Sequence, residues 1–179
     1  MLRDIQTVLL TEEQISKRVK EIGKAISDEY KDKDLLVVGI LKGSVMFTSE
    51  LIKNITIPCE MDFMAVSSYG SSSETSGVVR ILKDLDHGIE GKDVIIVEDI
   101  IDSGVTLDYL LKYLKARRAN SIEIVTLLTK PSRRMVEVNV KYCGFEVPDE
   151  FLVGFGLDYN EKYRNLPYVG ILKEEVYKK

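Results

Sequence analysis

Between Val94 and Leu107 the chain reads Val94-Ile95-Ile96-Val97-Glu98-Asp99-Ile100-Ile101-Asp102-Ser103-Gly104-Val105-Thr106-Leu107. An apolar strand runs into two adjacent carboxylates, then into a small-residue turn, then into a helix. Ligands of open α/β sheets sit beyond the carboxyl ends of the strands. Asp102–Thr106 therefore falls where a helix N-terminus offers unpaired N–H groups to an anion. Ser103 and Thr106 add hydroxyl donors, and Gly104 lets the backbone come close. That combination is a phosphate cradle. It is not the lysine-bearing nucleotide loop, because no Gly-Lys-Ser/Thr occurs here, and the glycine spacing of the dinucleotide fingerprint is absent. Three carboxylates, Glu98, Asp99 and Asp102, beside a phosphate should repel it. The arrangement makes sense if the ligand also carries vicinal hydroxyls that donate to Glu98 and Asp99, and if Mg²⁺ is present. A ribose 5-phosphate meets both requirements. The plainer alternative is an acidic surface loop with an ordinary helix cap.

The elements that must hold this segment follow from periodicity. Thr11-Glu12-Glu13-Gln14 has capping-box spacing, and Ile15, Val19, Ile22 and Ile26 behind it form one apolar helical stripe. Leu35–Ile40 and Val94–Val97 are continuous apolar runs, as expected of strands covered on both faces. Helix-like spacing returns in Val45–Ile52 and in Leu107, Leu110, Leu111 and Leu114, while Met61–Val66, Val78–Leu82 and Ile122–Leu128 read as strands. Ser67–Gly77 is small, polar and nearly without apolar anchors, the composition of a mobile loop. Asp86-His87-Gly88 reads as a turn, and Tyr142–Val147, Phe151–Val153 and Val169–Leu172 as shorter strands. Strand–helix alternation predicts an α/β fold with a mainly parallel sheet.

Composition narrows the classes. The 179 residues carry 25 basic and 29 acidic side chains, a net charge of −4, with 45% hydrophobic and 30% charged residues. One domain spanning 1–179 is the expectation. The acidic balance offers no general attraction to nucleic acid or an anionic membrane. No apolar run approaches the roughly 20 residues needed to cross a bilayer, and the first residues lack a secretory core. Cys59 and Cys143 stand far apart without metal-ligand spacing. A cytoplasmic protein is expected.

With these motifs in view, the segment Val94–Leu107 resembles the phosphoribosyl diphosphate (PRPP) motif of the type I phosphoribosyltransferases. The chain from about Val8 onward resembles their hypoxanthine-guanine branch. Gly39-Ile40-Leu41-Lys42-Gly43-Ser44 is similar to that family's pyrophosphate loop, and Ser68-Tyr69 opens a stretch like its lid. Leu127-Leu128-Thr129-Lys130 is similar to its purine-contacting strand end, and Phe151–Arg164, with Val153-Gly154-Phe155-Gly156-Leu157-Asp158-Tyr159-Asn160-Glu161, to its base and metal hood.

The resemblance implies a type I phosphoribosyltransferase fold: a central, mainly parallel sheet flanked by helices, with a small hood built partly from about 142–179. It implies Mg²⁺-dependent transfer of 5-phosphoribosyl from PRPP to N9 of hypoxanthine or guanine, releasing pyrophosphate. Glu98 and Asp99 would hold the ribose hydroxyls directly or through the metal, and Asp102, Ser103, Gly104, Val105 and Thr106 the 5-phosphate. Asp102 would also take the purine N7 proton as general base. Lys42 and Gly43 would grip pyrophosphate, with a cis Leu41–Lys42 bond, and Ser68 and Tyr69 would close over PRPP. Lys130 would donate to the 6-oxo group, Phe151 would stack on the base, and the Leu152 and Val153 backbone would meet its edge. Asp158, placed also among the purine-binding residues, would bind a Mg²⁺ on pyrophosphate, and Arg164 would neutralise the departing group. Val105 stands where some relatives have a basic residue, and Ser44 where some have a second glycine. A homodimer or homotetramer without nucleic-acid or membrane partners is the family's implication. The competing reading is a PRPP-sensing, RNA-binding regulator of the same fold.

Overall fold

A computed structural model describes residues 1–68 and 79–178. The central sheet has six strands: β2 (Leu35–Leu41), β3 (Glu60–Ser68), β4 (Val79–Lys83), β5 (Asp93–Ile101), β6 (Ser121–Thr129) and β7 (Tyr142–Glu146), in the order β4-β3-β2-β5-β6-β7. Every pairing is parallel except β3 with β4. The apolar runs owe their continuity to cover on both faces. Along β5, Ile95 and Val97 pack under α1 (Glu12–Glu29) and α2 (Val45–Lys53), while Val94 and Ile96 face α3 (Val105–Lys115). All four are fully buried. The apolar stripe of α1 lands as its spacing predicts, with Ile15, Val19, Ile22 and Ile26 in the core, and the capping box at Thr11 and Gln14 forms in both directions.

A second, three-stranded antiparallel sheet forms the hood, in the order β1 (Ile5–Leu10), β9 (Val169–Leu172), β8 (Leu152–Val153). Two expectations change here. Tyr142–Glu146 does not belong to the hood; it extends the central sheet beside β6, with Leu128 opposite Phe145. The hood instead recruits β1, for which the sequence shows no strand signal, since five of its six residues are not fully buried. Val153, Tyr163, Leu166 and Leu172 form the hood's own core, and Tyr163 donates to Asp4 at 2.9 Å, tying the N-terminal segment to the hood turn.

Ser67 and Ser68 depart from the loop expected over Ser67–Gly77: their backbone continues β3, opposite Arg80 and Val79. Tyr69 and the remainder of that loop, with Val78, lie outside the described residues. The far end of β4 is anchored to α3 by Asp84, which accepts from Tyr113 and from both terminal nitrogens of Arg117. No helix among the described residues is long and apolar enough to cross a membrane.

Candidate active site

The site opens at the carboxyl ends of β2, β5 and β6, where the chain leaves the sheet and can present loop backbone to a ligand. Glu98 and Asp99 stand near the carboxyl end of β5, which runs to Ile101. The turn after it reaches Gly104 in left-handed geometry (φ 83°), which caps α3 without a side-chain bond. Asp108 N–H already donates to the Gly104 carbonyl at 3.0 Å, and Val105 N–H lies 3.3 Å from Ser103 Oγ. The turn is braced from behind: Met135 and Val136 N–H both donate to the Ser103 carbonyl, at 2.9 and 3.1 Å. A Cβ on Gly104 would approach the Val136 carbonyl to 2.7 Å, so glycine is required both by φ and by space.

Two adjoining cavities meet at this turn. One, of about 350 Å³, is lined by Gly43, Glu98, Asp99, Asp102, Ser103, Gly104, Thr106, Asp158 and Arg164 among others. The other, of about 310 Å³, is lined by Asp99, Ile100, Asp102, Lys130, Phe151, Leu152, Leu157 and Asp158. The shared wall of Asp99, Ile100, Asp102 and Asp158 sets an acidic seam between a polar chamber and a flatter, partly aromatic one.

Electrostatics of the seam are unbalanced. Burial pushes the Glu98 carboxyl well above the ordinary carboxylate range, and the Asp99 charge beside it pushes the same way. Asp99 is pushed up to about 6 by burial, against the pull of the Ile100 N–H, its own N–H and the Arg164 charge. Hydroxyl donors or a cation at this position would stabilise the charged forms of both carboxylates. Asp102 differs. Its side chain is 47% exposed, and its Oδ1 lies 2.7 Å from Arg133 Nε, an ion pair without hydrogen-bond alignment that leaves this buried oxygen without a donor among the described residues. Arg133 reaches on to Asp149 at 3.4 Å, and Asp149 lies 3.6 Å from Lys130.

Lys130 is buried at the inner end of the second chamber, where its ammonium donates to the Glu150 carbonyl at 2.7 Å. Phe151 forms that chamber's aromatic wall, stacked on Tyr177 (centroids 4.7 Å) and edge-on to Tyr159 (5.5 Å). Leu152 lines it too, whereas Val153 turns into the hood core. In the first chamber, Arg164 bridges Asp158 (3.0 Å) and Glu161 (3.3 Å) and donates to the Gly156 carbonyl, while its buried Nε has no acceptor among the described residues. The Leu41–Lys42 bond is cis. Lys42 itself reaches away from the chamber wall to Glu161, at 3.0 Å.

The anticipated metal set, Glu98, Asp99 and Asp158, does not form a ready-made cluster: no group of three or more ligating side chains suited to a metal ion occurs among the described residues. Mg²⁺ held by one or two carboxylates, with substrate oxygens and water completing its octahedron, still fits this donor set. The hard oxygen ligands and the raised Glu98 and Asp99 both suit a divalent cation. Sequence reasoning did not single out Arg133 or Glu161. Glu161 lies inside a motif read for Asp158, and Arg133 sits in a turn that had no assigned part; their partners lie 31 and 119 residues away along the chain.

Comparison with known proteins decides the family. The phosphoribosyl transferase domain model matches residues 6–160. The chain belongs to the phosphoribosyltransferase family, in its hypoxanthine-guanine branch. It is 55% identical over 177 residues to the hypoxanthine-guanine phosphoribosyltransferase of Bacillus subtilis, covering 99% of this chain and 98% of that protein. It is 52% identical to a bifunctional TilS/HprT protein of Listeria monocytogenes, spanning 27% of that longer chain. The crystal structure of a hypoxanthine phosphoribosyltransferase from Staphylococcus aureus superposes with a TM-score of 0.97 at 53% identity, covering 100% of this chain and 97% of that one. The central, mostly parallel sheet with flanking helices is the phosphoribosyltransferase fold.

Proposed function

We propose that the two chambers divide one reaction between them: Mg²⁺-dependent transfer of 5-phosphoribosyl from PRPP to N9 of hypoxanthine or guanine. The observation that carries this assignment is the acidic seam itself, with the buried Glu98 beside the half-buried Asp99, set between a phosphate-type turn and a chamber walled by one aromatic ring and one buried ammonium. The 5-phosphate binds at Asp102–Thr106, taking the free N–H groups at the start of α3 and the hydroxyls of Ser103 and Thr106. Ribose hydroxyls donate to Glu98 and Asp99, which relieves the burial that raises both carboxyls. Pyrophosphate lies toward Gly43, Lys42 and Arg164, whose unpartnered Nε is a waiting donor. Asp158, with Glu98 and Asp99, faces the Mg²⁺; when bound, the ion supplies positive charge to the sugar hydroxyls and the departing pyrophosphate.

The purine enters between Phe151 and Lys130. The Lys130 ammonium donates to a 6-oxo group and has nothing to accept from a 6-amino group, so adenine is rejected. Asp102, on the shared wall, receives the N7 proton as N9 bonds to the sugar carbon. Arg133 holds that carboxylate at the wall. Positive charge develops on the ribose as pyrophosphate leaves, and the carboxylates near the sugar complement it while cations near the leaving group complement the opposite charge. Ser68 and Tyr69 close over PRPP and exclude water. The protein acts as a cytoplasmic homodimer or homotetramer.

Steady-state nucleotide formation with PRPP, Mg²⁺ and hypoxanthine, guanine, xanthine, adenine or uracil tests the assignment. Inosine and guanosine monophosphates form rapidly, and adenine and uracil are inert. Binding of PRPP without product from any base would overturn it in favour of a regulator, which a gel shift with pyrimidine-operon leader RNA would then reveal.

A further inference from the structure

Beside the first chamber, a carboxylate engages the cations assigned to pyrophosphate. Glu161 sends one carboxylate oxygen to Lys42 Nζ (3.0 Å) and the other to Arg164 (3.3 Å). These are the two cations that the preceding assignment gives to pyrophosphate. The contact is built by the backbone. Asn160, Glu161 and Tyr163 all take positive φ (52°, 61° and 76°), conformations that non-glycine residues adopt only when surroundings over-determine them. Glu161 N–H is pinned to Asp158 Oδ2 at 2.9 Å, and Tyr159 and Lys162 close the turn by reciprocal backbone bonds at 3.1 Å. The turn thereby aims one carboxylate across 119 residues of sequence at the pyrophosphate lysine. Lys42 and Glu161 are each about two-thirds exposed, 68% and 64%, so their pairing is weak enough to exchange.

We propose that Glu161 is an affinity-setting residue for the pyrophosphate group: its carboxylate pairs with Lys42 and Arg164 and is displaced when pyrophosphate, free or as part of PRPP, arrives. Each oxyanion that lands must first displace a carboxylate already in place, so Glu161 lowers affinity for the leaving group. A pyrophosphate group that carries several negative charges and Mg²⁺ outcompetes a single exposed carboxylate, and the displaced side chain returns to water at little cost. The same competition favours release of the product pyrophosphate, because an internal anion is ready to take its cations. The inference rests on the assignment of Lys42 and Arg164 to pyrophosphate, and its sign is opposite to that of a merely supportive residue: a carboxylate that positioned Lys42 for binding would raise affinity.

Isothermal titration of inorganic pyrophosphate with Mg²⁺ into wild type, E161Q and E161A, alongside KM for PRPP, reads this sign. Both variants bind pyrophosphate roughly two- to fivefold more tightly, the range open to exposed ion pairs, and their KM for PRPP falls. The gain shrinks at high ionic strength, where the displaced pair is screened, and shrinks again in a K42Q background. Unchanged or weaker pyrophosphate binding in E161Q and E161A, with wild type binding normally, overturns the displacement idea alone. A wild-type protein that binds no pyrophosphate overturns the underlying assignment together with it.

Discussion

Gly43→Ala inserts one methyl group at the junction where the loop after β2, the acidic seam and the hood converge. A Cβ built on Gly43 overlaps Asp99 Oδ2 and stands 2.7 Å from Asp99 Cγ. The Gly43 backbone is crowded as well: a Cβ on Gly156, which has φ 100°, would overlap the Gly43 carbonyl. Gly43 and Gly156 thus let two backbone segments meet beside a carboxylate, and Asp99 has to move by about an ångström to accept the methyl. Overfilling a packed site of this kind costs about 1–3 kcal/mol. Displacing a substrate-positioning group by roughly 1 Å costs about 10²-fold in rate. The expectation is a fall of about 10²-fold in kcat/KM for PRPP, with a modest drop in the urea midpoint and an unchanged m-value. A double-mutant cycle isolates the cause. In an Asp99→Ala background the offending oxygens are gone, so Gly43→Ala loses most of its stability penalty, a coupling of about 1–3 kcal/mol. Asp99→Asn keeps the atoms and gives no such relief. The reasoning fails if Gly43→Ala stays within threefold of wild type in kcat/KM, or if its destabilisation is the same in the Asp99→Ala background.

Two other perturbations follow from the same geometry. Lys130→Met replaces the buried ammonium proposed to donate to the 6-oxo group; a hydrogen bond to a charged group is worth about 1.5–3 kcal/mol, so kcat/KM for hypoxanthine falls roughly 10- to 150-fold, with the nucleotide-forming rate as the readout. Asp99→Asn stabilises the substrate-free, metal-free protein while impairing turnover: the carboxyl is pushed up to about 6 from an ordinary 3.8, so its neutral form is favoured in the fold, and the wild type loses stability as pH rises from about 4 through 6. The variant's advantage is absent below pH 4 and grows to about 3 kcal/mol above pH 6, a rise of roughly 6–12 °C in Tm for a chain of this size; a variant and wild type with equal Tm at pH 8 would contradict it.

Much of the scaffold is legible in the sequence because its signals are local. The stripe of Ile15, Val19, Ile22 and Ile26 specifies a helix face whatever it packs against, and the uninterrupted Val94–Val97 run demands cover on both faces of its strand. The phosphate turn is equally local, since Asp102–Thr106 occupies five consecutive positions between a strand and a helix. Motif resemblance extended this reading to Lys42, Lys130, Phe151, Asp158 and Arg164; the fold gathers the last four around two adjoining chambers and leaves Lys42 beside them, paired with Glu161.

What only the tertiary structure decided is which distant groups meet. β1 has five residues that are not fully buried and no clean alternation, so nothing within Ile5–Leu10 announces that it pairs with Val169–Leu172. Tyr142–Glu146 is five residues long, too short for its pattern to choose between the central sheet and the hood. The pairing of Lys42 with Glu161, and of Asp102 with Arg133, depends on chain closure over many residues, and a charged side chain carries no mark of its partner. The same holds for Gly43, whose missing side chain gains meaning only when Asp99 and Gly156 press on it. Periodicity and short-range motifs are written residue by residue, but the charge balance of the cleft and the clearance between its loops exist only once the sheet has brought its carboxyl ends together.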